Sequence, residues 1–319
     1  MNHPAVGRVS ESATDSQVVL VVVPLRIAST RLPKKITANI AGASLAQRTL
    51  GRALEIFRGD PNVKVVAAVD HAKIAEELKQ HFPHLHVVMT DPEIPSGTDR
   101  VFAASQIVST SLLKQGVHVK GIINLQGDIP FVGYDGLRRM ANYFIDADVE
   151  DLEAASMLTL SQSWPRDQDY EDPAAVKVIS DRDGFAIYFS RHAIPHSKIP
   201  SAKVSVEDLV GELHIGVYGY TPGTLALICT HAPIALELAE GLEQLRALWL
   251  GHKILVFKTE PADNESYRGI DTAKDLAWAK RFAAGGSRSK KVAKKAAKKA
   301  RKKVFKKSPA KVKKKVHKR

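Results

Sequence analysis

The sequence predicts an α/β fold, a mostly parallel mixed sheet flanked by helices, and three observations carry that expectation. Residues Val18 to Val23 are six consecutive aliphatic residues, a run suited to a strand buried on both faces of a helix-covered sheet. Aliphatic strands then alternate with amphipathic helices, which implies parallel strands joined by right-handed crossovers. Charged, hydroxyl-bearing loops follow several of these strands, and open α/β sheets bind ligands at the carboxyl ends of their strands.

Taken in order, residues 1–17 are small and polar and read as a flexible leader. The first strand ends at Pro24, and the loop behind it presents Arg26, Ser29, Thr30, Arg31, Lys34 and Lys35. Such a loop suits an anion, its plain alternative being a solvated basic turn. It is not a Walker A loop, because the glycines that let backbone amides wrap a phosphate are missing. Leu45 to Phe57 has helical spacing, and a strand over Val63 to Val69 completes a βαβ unit ending at Asp70. A helix from Ala72 to Phe82, a strand from His86 to Met89, the loop TDPEIPSGTDR, a helix from about Asp99 to Lys114 and a strand from Gly121 to Leu125 follow.

The second half is less regular. Glu153 to Leu158 reads as a strand, and Ser161 to Pro173 as a loop or lid. Val176 to Ile179 and Phe185 to Phe189 flank a turn at Asp183 and Gly184 and form a hairpin. A long proline-marked stretch runs from Ser190 to Gly211. Then come a strand over Leu213 to Tyr220, helical pattern to about Leu250, a strand over Ile254 to Lys258 and a last helix from Thr272 to Ala284. No repeat recurs at a fixed period. The division is a leader over 1–17, one domain over 18–284 and a tail over 285–319.

Charge separates the tail from the body. The net charge of +13 is dominated by Gly285 to Arg319, which holds 18 Lys and Arg and no Asp or Glu, leaving 29 basic against 34 acidic residues elsewhere. Any affinity for nucleic acid or another polyanion is thus expected from the tail, not from the fold. This Lys/Ala-rich segment resembles the tails of linker-histone-like proteins, and its self-repulsion predicts disorder in isolation. The single cysteine, Cys229, precludes an internal disulfide and suits a reducing compartment. With no signal-like leader and no apolar run of spanning length, the expected location is the cytoplasm.

The strand-end loops share one chemical theme. Arg26, Arg31, Lys34 and Lys35 suit a triphosphate; Ser96, Gly97, Thr98, Asp99 and Arg100 add hydrogen-bonding groups and another cation; Asp128 follows a buried strand and Asp271 precedes the last helix. Two carboxylates facing such bases suit magnesium-assisted nucleotidyl transfer, since Mg²⁺ takes oxygen ligands and keeps several from water and phosphate. No Cys or His cluster competes for a transition metal. Each residue also has a purely structural reading. Asp128 fits a turn, and Asp271 with Thr272 a helix cap. His214 fits a core histidine, Tyr218 and Tyr220 strand aromatics, Glu243 with Arg246 a pair across one helical turn, and Cys229 the core.

PLRIASTRLPKK, MTDPEIPSGTDR, NLQGDIP, VKVISDRDGFAIYFSR, HIGVYGY, LEQLRAL and GIDTAKDL, in this order, resemble the 3-deoxy-manno-octulosonate (KDO) cytidylyltransferases over roughly Val18 to Lys280. The resemblance implies a nucleotide-diphospho-sugar transferase fold and a homodimer. It also implies transfer of CMP from CTP to the anomeric hydroxyl of an acidic 2-keto sugar, releasing pyrophosphate, for lipopolysaccharide precursor synthesis. Arg26 and Lys35 match the triphosphate loop, Asp128 and Asp271 the Mg²⁺-binding aspartates. Ser96, Gly97, Thr98 and Gln126 match the nucleotide and sugar pocket; His214, Tyr218, Glu243 and Gln244 match the sugar site, with Arg100 reaching it. One metal would assist deprotonation of the hydroxyl, and a second, with Arg26 and Lys35, would stabilise the leaving pyrophosphate.

Two departures stand out: Lys34 replaces the glycine usual after RLP, and Ile129 replaces the acid usual in QGDEP. The first strains the loop if a positive φ is required there, or adds a phosphate contact; the second removes a charge beside the metal. Alternatives are a different acidic sugar, such as a sialic acid or amino-substituted KDO, or a catalytically impaired relative that binds polyanions through its tail.

Overall fold

The computed structural model describes residues 16–28, 31–165, 168–196 and 211–285. Most of the leader, Ser29, Thr30 and the tail after Gly285 lie outside the described residues. The first strand, β1 (Ser16–Leu25), is the centre of the sheet. Val19, Val21, Val23 and Leu25 pack on one face, while Val18, Leu20 and Val22 pack on the other. Each buried aliphatic side chain contributes roughly 2 kcal/mol.

Pro24 does not end β1. It pairs in register with Ala68 and the strand runs on to Leu25. Val19 N–H donates to Asn62 O on the β4 side, so by alternation the nitrogen of residue 24 faces β6 (Val117–Leu125), whose pairing with β1 stops at Val22. A proline there costs no ladder hydrogen bond.

A 3₁₀ turn (Lys35–Thr37) and a small hairpin, β2 (Asn39–Ile40) with β3 (Ala43–Ser44), lead into α1 (Leu45–Ile56). A Ser44–Gln47 capping box starts that helix. Then come β4 (Val63–Val69), α2 (Ala72–His81), β5 (His86–Met89) and α3 (Gly97–Leu113). The strand β6 begins four residues before the predicted Gly121, with a register irregularity against β1 at Val18/Val19.

Beyond the β2–β3 hairpin, which the sequence reading did not assign, three stretches differ from the expectation. Helix α4 (Tyr134–Asp146) lies where none was assigned; Leu137, Met140, Ala141 and Phe144 form its buried stripe, and Gly136 in its first turn weakens the local signal. The strand predicted over Glu153–Leu158 is instead the end of helix α5 (Val149–Ala154) and the start of β7 (Met157–Gln162). An Asp148–Asp151 capping box fixes α5, and β7 takes in Ser161 and Gln162, which the loop reading had included. The helical stretch to Leu250 is three short helices, α6 (Pro222–Thr230), α7 (Ala235–Glu240) and α8 (Gln244–Trp249), with Gly241 at φ 59° between the last two.

The hairpin β8 (Lys177–Ser180) with β9 (Ala186–Ser190), then β10 (Glu212–Tyr220), β11 (Ile254–Lys258) and α9 (Ala273–Ala283), complete the chain. The main order is β11-β7-β10-β6-β1-β4-β5, with β8 and β9 attached at β10. Along that path only β10 runs antiparallel to its neighbours β6 and β7. Helices α1, α2 and α4 cover one face of the sheet, and α3, α6 and α8 the other. A third cluster, with Ile40, Phe131, Ile270 and Ala279, holds α9 against the β2–β3 hairpin and so places Asp271. Among the described residues, no helix is long and apolar enough to cross a membrane.

Candidate active site

The carboxyl ends of β1 and β6 and the starts of α3 and α9 enclose a cavity of about 250 Å³ lined by Arg26, Arg31, Lys35, Gly97, Arg100, Gln126, Asp128 and Asp271. Arg26, Lys35, Asp128 and Asp271, named from three separated stretches, thus share one wall-bounded space. Lys35 Nζ donates to Asp128 Oδ2 at 2.6 Å and to Asp271 Oδ1 at 2.9 Å, while Arg31 lies 3.2 Å from Asp271 Oδ2. Burial alone would lower the Lys35 pKa; the carboxylates, Asp128 foremost, outweigh it and hold it above the ordinary lysine value. Asp271 is not the cap of α9, since Thr272 caps it through Asp275.

Loop geometry explains both departures. Lys34 has φ 54° and ψ 34°, the left-handed region that favours glycine. Its carbonyl accepts from the Thr37 N–H at 3.0 Å and the Thr37 hydroxyl at 2.9 Å, closing the turn that aims Lys35 inward. Lys34 itself is exposed and does not line the cavity, so the substitution supplies strain rather than a wall group. Ile129 is 4% exposed in the apolar core. Gly127 is required sterically, because a Cβ there would lie 2.7 Å from Pro24 O.

Ser96 caps α3, accepting from the Asp99 N–H at 3.0 Å and donating to Asp99 Oδ2 at 2.7 Å. Arg100 is fully buried, lines the cavity and is held by the Thr90 hydroxyl, by Asp91 O at 3.2 Å and by Asp70 at 3.6 Å. It lines the cavity together with Arg26 and Lys35. Asp70 also accepts the Ile27 N–H at 3.0 Å. It is a positioning residue that sequence reading left unassigned, and its signal is an acid directly at a strand end.

A second group lies along β10 and the turn into α8. Tyr218 Oη donates to Gln244 Oε1 at 3.1 Å, and the His214 and Tyr218 rings are 5.6 Å apart. Burial raises the Glu243 pKa, opposed by its hydrogen bond from Thr98 and by Arg246. Arg246 bonds Glu237 through Nε and Nη2, so the helical-turn pair with Glu243 is not the principal one. Burial also pushes the Cys229 thiol up, and Asp99 adds to that.

The two groups are joined. Gln126 Nε2 donates to Asn124 Oδ1 at 2.9 Å, Asn124 Nδ2 reaches Thr98 Oγ1 at 3.4 Å, and Thr98 bonds Glu243. Asn124 is fully buried in an aliphatic strand; a polar residue in such a run is the signal for it. Among the described residues no three His, Cys, Asp or Glu side chains group around one point. The Asp128–Asp271 pair, converging on one cation, is the candidate metal position.

Residues 20–254 match the family described as Cytidylyltransferase. The chain is 34% identical over 265 residues to the 3-deoxy-manno-octulosonate cytidylyltransferase of Pseudoalteromonas atlantica, covering 80% of this chain and 94% of that protein. It is 32% identical to the protein of that name from Chlorobium chlorochromatii, covering 81% and 93%. A solved structure of a CMP:2-keto-3-deoxy-manno-octonic acid synthetase complexed with CTP superposes with a TM-score of 0.69 at 26% identity, covering 84% of this chain and 99% of its own.

Proposed function

This chain belongs to the cytidylyltransferase family, and from that premise we infer that it transfers CMP from CTP to the anomeric hydroxyl of 3-deoxy-D-manno-octulosonate, releasing pyrophosphate, in lipopolysaccharide precursor synthesis. The observation that carries the reading is the convergence of Asp128 and Asp271 on Lys35 in a cavity also lined by Arg26, Arg31 and Arg100. Preorganised cations of this kind favour the triphosphate and, more strongly, the charge that develops as pyrophosphate leaves. The oxygen of the sugar forms a bond to the α-phosphorus as the bond to the bridging oxygen breaks. Arg26, Lys35 and Arg100 hold the phosphates in line.

We propose Mg²⁺ as the cofactor, held by Asp128 and Asp271. The donor set fits: two carboxylate oxygens already converge within 2.9 Å of one positive charge, and Mg²⁺ takes its remaining oxygens from water and phosphate. When bound, the ion would supply Lewis-acid polarisation of the phosphate and acidify the attacking hydroxyl.

The sugar side rests on Gln244, 3% exposed, whose Nε2 has no hydrogen-bond partner among the described residues. A buried orphan donor costs about 1–3 kcal/mol, and a ligand oxygen would relieve it. His214, Tyr218 and Glu243 complete that wall. A cytoplasmic homodimer belongs to the same reading, testable by fractionation and light scattering. The tail, with 18 basic residues and no acidic ones, favours a second, separate property: binding of nucleic acid or another polyanion.

The deciding experiment is pyrophosphate release by the purified chain across a grid of nucleotides and keto sugar acids, with Mg²⁺ or with EDTA. Turnover is expected only with CTP, KDO and Mg²⁺ together. Faster turnover with a sialic acid or an amino-substituted KDO would replace the acceptor; turnover in EDTA would remove the metal from the reading.

A further inference from the structure

Strand β10 bulges against β7. Ile215 pairs with Leu160 and Tyr218 with Thr159, so Gly216 and Val217 have no β7 partner. Bulges of this kind re-aim side chains near ligand sites. The Thr159 hydroxyl fills the gap: Oγ1 is 2.9 Å from Val217 O, 3.3 Å from Ile215 O and 3.0 Å from His214 Nε2. Thr159 is fully buried, so no water competes for these contacts.

The proton count decides the tautomer. A hydroxyl has one proton and backbone carbonyls only accept. That proton therefore goes to a carbonyl, Val217 O being the nearer. The contact to His214 is then a hydrogen bond only if Nε2–H donates to Thr159 Oγ1. A neutral imidazole protonated at Nε2 carries a bare lone pair at Nδ1. The ring is neutral, since the protein around it desolvates it and pushes its pKa down to about 3. Phe189, edge-on at 4.9 Å, fixes its orientation. On the same wall Tyr218 Oη donates to Gln244 Oε1 at 3.1 Å, which leaves Gln244 Nε2 as a free donor.

We infer that Thr159 is a positioning residue of the acceptor site, locking His214 as its Nε2–H tautomer so that the wall offers an acceptor, His214 Nδ1, and a donor, Gln244 Nε2. The inference rests on the assignment of His214, Tyr218 and Gln244 to the sugar-acid site. It adds a rule of orientation. The group facing Nδ1 must carry a proton, as a sugar hydroxyl does, while a carboxylate would meet lone-pair repulsion there and is directed to the Gln244 side. A site with buried polar groups of fixed polarity rejects mismatched ligands strongly, because mismatch leaves those groups unpaired.

The test uses the full-length chain labelled with ¹⁵N-histidine, ligand-free, with His214 assigned by its loss in His214→Asn. Two-bond ¹H–¹⁵N correlation is expected to show a protonated Nε2 and an unprotonated Nδ1 in the wild type and in Thr159→Ser, and loss of that pattern in Thr159→Val. In steady-state assays Thr159→Val should raise the KM for KDO about tenfold, as for one lost hydrogen bond. Its KM for CTP should be unchanged, and Thr159→Ser should restore the KDO value. A protonated Nδ1 in the wild type overturns the inference even if Thr159→Val cannot be purified. An unchanged tautomer and KDO KM in Thr159→Val overturn it too. Absence of any turnover with KDO would sink the functional reading instead, while the ligand-free spectrum still decides the tautomer.

Discussion

Lys35 Nζ lies 2.6 Å from Asp128 Oδ2, although the two residues are 93 positions apart. One comes from the turn after β1 and the other from the end of β6, so the sheet itself brings them together. Asp271, arriving with α9, completes the group at 2.9 Å. Replacing Asp128 or Asp271 by Asn keeps shape and removes charge. Each change is expected to lower kcat about 100-fold or more, the scale for losing electrostatic stabilisation at a reacting centre. Steady-state assays beside thermal melts check it: a fall in Tm with an intact kcat would return both residues to architectural roles.

The backbone at Lys34 separates it from Lys35. Lys35→Ala removes the cation between the carboxylates and is expected to depress activity far more than Lys34→Ala, because Lys34 does not line the cavity. Lys34→Gly should keep activity and stabilise the fold by up to about 1 kcal/mol, the left-handed strain relieved less the added flexibility of the unfolded chain. Denaturant titration reads this, and a loss of stability in Lys34→Gly would mean the exposed side chain does more than the backbone cost.

What the sequence made legible follows from how local each signal is. The Val18–Val23 run and the βαβ alternation are short-range patterns, and β1, β4, β5 and β6 lie close to where they point. Asp128 and Asp271 could be named because the segments NLQGDIP and GIDTAKDL around them are contiguous local patterns. Thr159 and Asn124 could not. Their importance depends on the bulge in β10 and on the adjacency of β10 with β6 and β7, pairings far apart in the chain. Glu153 and Ala154 misled because so short a stretch suits either element, and the Asp148 cap decides for helix.

The His214 ring makes stability depend on pH. Its pKa falls from an unfolded value of 6.5 to about 3 in the fold. Between those values the unfolded chain binds the extra proton, so this contribution is fully present above about pH 6.5 and is lost as pH falls toward 3. Urea denaturation at about pH 7 and pH 5 should show a smaller drop in stability for His214→Gln than for the wild type. Equal drops would mean that the ring is protonated in the fold.

The tail calls for a prediction in which catalysis and binding separate. Deletion of residues 286–319 keeps Gly285, whose φ of 79° turns the chain at the end of α9 and whose N–H donates to Phe282 O at 3.2 Å. Every residue placed in the cavity precedes the cut, so kcat and both KM values are expected to stay within about twofold, the scatter of distant, uncoupled sites. Binding to duplex DNA should be lost with the tail. In the full-length protein each phosphate neutralised releases condensed counterions, so log affinity should fall linearly with log salt at about −0.9 per phosphate. With about six to ten phosphates engaged, affinity should drop roughly 10³- to 10⁵-fold between about 50 and 200 mM salt, without preference for sequence. The remaining body has 29 basic against 34 acidic residues up to Ala284, so repulsion from the phosphate backbone leaves no electrostatic route for it to compensate. Salt-titrated binding and steady-state rates on both proteins read the two properties independently. A flat salt dependence removes the counterion mechanism, and a fall in kcat on truncation would place the tail in the enzyme.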